Sequence, residues 1–179
     1  MTQIAATYAQ ALYDLAKEEQ LTGELLVQLK ALQEGFSREP DYVRLLSAPS
    51  MSKEARCAIA DEAFRGKGHI YVLNFLKILV EKGYVRHFAD CVTAYRDCYN
   101  ADHGIVPVLA VTAVALTGEQ TRKLTEKLTA ITGKTVELEN RIDPSVLGGV
   151  RLDYDGKRFD GTVKNRLDDI SKRLKNTVL

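Results

Sequence analysis

The triplet Gly133-Lys134-Thr135 is the first place in this chain where phosphate chemistry could be sought. A phosphate-binding loop cradles its anion with backbone N–H groups. It needs another glycine five positions before that triplet, and it follows a strand and opens a helix. Leu128 occupies that earlier position. The triplet also follows a helical pattern and opens an extended one, so Gly133 reads as a helix stop. Asp153, Asp155 and Asp160 could offer carboxylates to calcium. A calcium loop places its glycine sixth, whereas Gly156 is fourth from Asp153. A hairpin turn at Asp155-Gly156 fits better, and Asp160 then reads as the N-cap of a last helix.

His69, His87 and His103 show no zinc-type spacing. His87 and Cys91 are four apart and could face each other on a helix, but two ligands without partners do not make a metal site. The cysteines Cys57, Cys91 and Cys98 are odd in number and lack a Cys-x-x-Cys pair. Cys91 and Cys98 lie about 10 Å apart along one helix, beyond disulfide reach. Reduced, mostly buried thiols are expected. Neither a Gly-x-Ser-x-Gly elbow nor a Gly-x-Gly-x-x-Gly fingerprint occurs. The residues therefore predict no catalytic group, no metal and no cofactor.

Composition narrows the partners. The chain has 179 residues, enough for one ordinary domain or two small ones. Its net charge is +1, with 45% hydrophobic and 27% charged residues, the balance of a soluble globular protein. A nucleic-acid binder usually carries a clear basic excess. The absence of Trp and the 7% of aromatic residues also disfavour a base-stacking platform. Met1 to Gln20 lacks the basic start and apolar run of a targeting segment. The longest apolar run, Ile70 to Val80, is broken by Asn74 and Lys77. As a helix it reaches about 16 Å, roughly half a hydrocarbon core, so no membrane span is expected.

The elements that must carry any site fall into two parts. Up to Gly104 the period is helical throughout. Ile4, Tyr8, Ala11, Leu12 and Leu15 form one apolar face. Leu21, Leu25, Leu29, Leu32 and Phe36 form the next. Pro40 and Pro49 bracket a short helix around Asp41 to Leu46. Ser52 reads as the N-cap of a fourth helix, which the Gly66-Lys67-Gly68 break ends. Ile70 to Val80, apolar almost all round, predicts a central helix closed by Gly83. A sixth runs from about Val85 to Asp102, with Val85, Phe88, Ala89, Val92 and Tyr95 inward. The first part is thus expected to be a six-helix bundle over residues 1–104.

Beyond Gly104 the period changes. Val106 to Ala115 reads as a strand, with Pro107 marking an edge position or a strand beginning. Thr117 to Gln120 is a capping box opening a helix, with Leu124, Leu128 and Ile131 inward. Thr135 to Ile142 alternates, with Val136, Leu138 and Ile142 on one face. Val150, Leu152 and Tyr154 alternate likewise. A final helix from about Asp160 carries Val163, Leu167, Ile170 and Leu174. Residues 105–179 are therefore expected to form a small β-α-β-β-α domain, and the whole chain an α+β fold. The first part holds 12 basic and 14 acidic residues, and the second 13 and 10.

Taken in order, several pieces resemble a known family. They are Tyr8-Ala9-Gln10-Ala11-Leu12-Tyr13, Phe75 to Gly83, Val111 to Gln120, Gly133 to Val136, Asp143-Pro144-Ser145-Val146-Leu147-Gly148-Gly149-Val150 and Phe159 to Val163. They resemble the delta subunit of bacterial F-type ATP synthase, the family of the mitochondrial oligomycin-sensitivity-conferring protein. The Asp-Pro-Ser to Gly-Gly-Val stretch is the most specific piece. One departure is Tyr84, where the family usually has arginine, with Arg86 close behind.

The resemblance implies a non-catalytic stator subunit of a proton-translocating enzyme. It implies that the first part docks the N-terminal helix of an alpha subunit in a groove between its first and fifth helices. The second part would grip the b subunits of the peripheral stalk. On this chain the groove walls would come from Tyr8, Ala11, Leu12 and Leu15 and from Phe75, Leu76 and Leu79. Gly148 and Gly149 are expected to permit a backbone turn. One copy per complex would sit on the cytoplasmic face of the bacterial cell membrane, touching the membrane only through its partners. The competing reading is a nucleic-acid-binding adaptor using Lys157, Arg158, Lys164, Arg166, Lys172, Arg173 and Lys175. Asp160, Asp168 and Asp169 interrupt that basic set.

Overall fold

Local signals set most helix ends. Pro40 occupies the first turn of α3 (Pro40–Leu46), where its missing N–H costs nothing. The Ser52 hydroxyl accepts from the Ala55 backbone N–H at 3.1 Å and starts α4 (Lys53–Phe64). Gly83, with φ +77°, closes α5 (Ile70–Lys82) in the left-handed region that favours glycine. Before these come α1 (Gln3–Glu18) and α2 (Thr22–Arg38). After α5, a 3₁₀ turn (Val85–His87) leads into α6 (Phe88–Asp102). The single sixth helix expected from Val85 is thus a tight turn followed by a helix.

This computed structural model describes residues 3–154, 156–163 and 165. Together they form a mixed helix-and-sheet protein with seven α-helices and one four-stranded sheet. The chain divides into two compact units, Met1–Tyr99 and Asn100–Leu179.

In the first unit the core runs through α1, α2, α5 and α6. Leu12, Leu25, Leu29, Leu76, Leu79 and Tyr95 are buried in it. Burying a leucine or phenylalanine side chain contributes about 2 kcal/mol. The Tyr13 and Tyr95 rings meet edge to face with centroids 5.3 Å apart. The Tyr95 hydroxyl donates to the Thr22 carbonyl at 3.0 Å, which satisfies its polar end. Phe36 packs against Tyr42, Phe64 and Phe88. α5 is not buried all round, since Ile70, Asn74 and Ile78 form an exposed stripe. Ala89, expected inward, is exposed on α6. Arg56 is buried beside α3, where Nη1 donates to the Leu46 carbonyl at 3.3 Å. A cation there complements the negative end of the helix.

The sheet of the second unit has strand order β2-β1-β3-β4. β1 (Ile105–Thr112) pairs parallel with β2 (Thr135–Ile142) through the crossover helix α7 (Gly118–Thr132). β3 (Val150–Tyr154) runs antiparallel beside β1, and β4 (Lys157–Asp160) beside β3. Pro107 lies at the start of the central strand, before the pairing with β3 begins at Val108. β1 ends at Thr112 rather than Ala115, and there the Thr112 hydroxyl reaches forward to donate to the Val114 carbonyl at 2.7 Å. Val106, Val108 and Val136 form the core of this unit, with Leu128, Leu138 and Leu152 against it.

Thr117 and Gln120 form a reciprocal capping box at the start of α7. Gly133, with φ +66°, stops the helix, as expected of the Gly-Lys-Thr triplet. Ile131 is 81% exposed, not inward, and Ile142 is likewise exposed. Both lie at element ends, where no neighbour covers them among the described residues. β4 replaces the expected helix start at Asp160. Asp160 accepts from the Thr162 N–H and hydroxyl, while the Thr162 hydroxyl accepts from the Asn165 N–H. Thr162 is therefore the cap, since it is the side chain that reaches the free N–H one turn on. Leu167, Ile170 and Leu174 of the expected last helix lie outside the described residues.

Candidate partner-binding surface

α1 has two apolar stripes that its sequence merges into one. Ala5, Ala9, Leu12 and Ala16 are buried toward the core. Ile4, Tyr8, Ala11 and Leu15 recur four, three and four residues apart, so they line one side of the helix. Ile4, Ala11 and Leu15 are exposed and Tyr8 is partly so. The Tyr8 ring packs on Tyr84, centroids 6.0 Å apart, just past the end of α5.

The seven residues expected to wall a groove are thus not equivalent. Tyr8, Ala11 and Leu15 reach the surface. Leu12, Phe75, Leu76 and Leu79 are at most 6% exposed and belong to the core. They back the surface rather than open onto it, being buried in one cluster with residues of α2 and α6. Ile4 belongs to the exposed stripe and was not among the expected walls. Its i, i+4 relation to Tyr8 is the signal that could have found it.

In the second unit, Leu147, Gly148 and Gly149 all have positive φ. Gly149 lies so close to the chain at Gly161 and Thr162 that a Cβ would meet Gly161 O at 2.6 Å. The Val163 N–H donates to the Gly148 carbonyl at 3.1 Å and the Gly161 N–H to Val150 at 3.0 Å. The glycine pair therefore does more than turn the chain. It clasps the segment that follows β4.

The groups that could carry chemistry are otherwise engaged. Cys91 is 1% exposed, and burial pushes its thiol up to about 11. Burial also raises Cys98, whose Sγ lies 3.2 Å from Gln10 Oε1. All three cysteines are free thiols. His87 sits 3.6 Å from Asp90. The Arg158 guanidinium donates to Asp153 at 2.7 Å and holds its carboxyl below the usual range. Asp155 lies outside the described residues, as do the side chains of Lys164, Arg166, Lys172, Arg173 and Lys175. Among the described residues, no cluster of three or more His, Cys, Asp or Glu side chains could hold a metal. Among them too, no helix is long and apolar enough to cross a membrane.

Exposed apolar stripes of this kind mark surfaces where proteins meet partners. Residues 4–174 match the family model described as ATP synthase delta (OSCP) subunit, and the chain belongs to that family. It is 32% identical to the ATP synthase subunit delta of Alkaliphilus oremlandii (strain OhILAs) over 171 residues, covering 96% of this chain and 95% of the relative. It is 30% identical to the ATP synthase subunit delta of Clostridioides difficile (strain 630), covering 98% and 97%. The fold matches a chain of the Toxoplasma gondii mitochondrial ATP synthase hexamer with a TM-score of 0.73. That match has 18% identity and covers 97% and 98% of the two chains.

Proposed function

We propose that this chain is the non-catalytic stator subunit of a bacterial, proton-translocating F-type ATP synthase. Its helical unit acts as a six-helix bundle that receives the N-terminal helix of an alpha subunit. Its second unit grips the b subunits of the peripheral stalk. The chain sits peripherally on the cytoplasmic face of the cell membrane, one copy per complex, and reaches the membrane only through its partners. The head is thereby kept from turning with the rotor, so that proton flow drives ATP synthesis.

The observation that carries this reading is the exposed stripe Ile4, Tyr8, Ala11 and Leu15 on α1. An amphipathic helix docks through anchors at this spacing. Leu12, Phe75, Leu76 and Leu79 form the rigid base beneath, and Tyr84 extends the surface beside Tyr8. Two interfaces on one small subunit also favour a firm hold. Linking them makes the second contact intramolecular, raising avidity about 100-fold or more.

The test is calorimetry of the full chain with a synthetic peptide of the host alpha-subunit N-terminus. Saturable heat is expected, and Leu15→Asp is expected to abolish it while the chain stays folded. Wild-type protein giving no heat at high micromolar peptide would remove the docking assignment.

A further inference from the structure

The helical unit has a second open apolar surface, to which α1 contributes no residue. α2, α3, the end of α4 and the start of α5 enclose a cleft of about 800 Å³. Leu32, Leu45, Phe64 and Leu73 line it, with Ala31 and Gly35 along α2. Leu45 is 41% exposed there.

Gly35 lies inside α2 with no positive φ, and a Cβ on it would meet nothing within 4 Å. Glycine within a helix costs about 1 kcal/mol relative to alanine. Neither a turn nor close packing within this chain requires it. It leaves bare backbone facing the cleft, one turn after Ala31, and so permits the close approach of another backbone.

The two ends of the cleft differ in charge. The His69 N–H donates to Gln28 Oε1 at 2.6 Å, which holds the Lys67-Gly68-His69 turn beside the early part of α2. Glu39 and Asp41 line the other end. From Gln28 to Glu39 is about 16 Å of helix, or three turns. Asp41 is paired with Arg44 at 2.7 Å. Among the described residues, the side chains of Glu39 and Lys67 join no ion pair. Helices favour acids in their first turn and bases in their last. Such a helix fits this cleft in one direction, starting at Lys67 and ending at Glu39.

We propose that the cleft docks a three-turn amphipathic helix of a partner protein, lying parallel to α2. Its apolar face rests on Ala31 and Gly35, its acidic first turn on Lys67 and its basic last turn on Glu39. This surface shares with the α1 stripe only the buried Leu76 beneath both, and it does not depend on the function proposed above.

The experiment titrates the full chain by fluorescence anisotropy with a labelled peptide of about 14 residues, long enough for three turns with short ends. The peptide has leucines at helical spacing on one face, glutamates in the first turn and lysines in the last. Saturable binding is expected. Gly35→Phe fills the cleft from an open position. It is expected to weaken binding about tenfold or more, about 1.4 kcal/mol, without lowering the thermal midpoint. Lys67→Glu combined with Glu39→Lys is expected to reverse the preference between this peptide and one with its end charges exchanged. Leu15→Asp on α1 is expected to leave binding unchanged. The proposal is overturned by absence of saturable binding, by unaltered affinity in folded Gly35→Phe, or by indifference to end charges. It is also overturned if Leu15→Asp abolishes binding, or if an apolar dye occupies the cleft while the peptide does not.

Discussion

A Cβ on Gly149 would stand 2.6 Å from the carbonyl oxygen of Gly161 and 3.0 Å from the Cα of Thr162. Both neighbours are backbone, so no side chain can swing away to make room. Gly149 also has φ +82°. Gly149→Ala is therefore expected to destabilise the second unit by about 2 kcal/mol or more, through strain and collision together. Gly35→Ala is expected to do the opposite, gaining about 0.5–1 kcal/mol, because its helical position is open. Urea unfolding of the two variants checks the contrast. Equal effects would contradict it.

Asn140 ties three segments of the second unit together. Its amide donates to the Ala110 carbonyl at 3.0 Å and the Thr112 hydroxyl at 2.8 Å. Its oxygen accepts from the Leu116 N–H at 2.9 Å. Asn140→Leu leaves those partners unanswered and is expected to cost about 1–3 kcal/mol. Chemical denaturation measures it, and a cost near zero would show that water replaces the side chain freely.

The Cys91 thiol predicts a pH dependence. Burial raises it to about 11 from the ordinary 9.0. The unfolded chain then releases this proton at lower pH than the folded chain. Its contribution to stability is complete below about 9 and falls as pH rises toward 11. Urea midpoints of Cys91→Ala should therefore fall less steeply over that window than those of the wild type. The native thiol should also resist alkylation at pH 8, where it stays protonated. Rapid labelling of Cys91 in the folded chain would contradict its burial.

The helix starts should depend on single side chains. Ser52→Ala removes the acceptor for the Ala55 N–H and is expected to cost about 1 kcal/mol. Ser52→Asp keeps an acceptor and should restore most of it. If both variants lose stability equally, the hydroxyl is not acting as a cap.

Roles that depend on near neighbours in the chain were legible in the sequence. Ser52, Thr117, Gly83 and Gly133 act through neighbours a few residues away, so their roles could be read from spacing. The α1 surface could not be resolved this way. Leu12 and Leu15 are both apolar and only three positions apart. Which one faces inward depends on where α2, α5 and α6 pack, and no local pattern encodes that. The hairpin turn at Asp155-Gly156 is the one local hint of β4, because all four of its residues are exposed and it has no buried alternate positions to mark it as a strand. Asn140 sits within an alternating strand pattern. Its partners are some 24 to 30 residues distant, and only the parallel register of β1 and β2 brings them within reach.

The proposed bridge between the catalytic head and the peripheral stalk can be tested as a whole. Its most direct measurement is affinity purification of the tagged full chain from detergent-solubilised membranes, read by mass spectrometry. Recovery of alpha, beta and b subunits together is the result predicted. Leu15→Asp should lower alpha and beta recovery while b subunits stay bound. Recovery of none of these subunits with the folded wild-type chain would contradict the account.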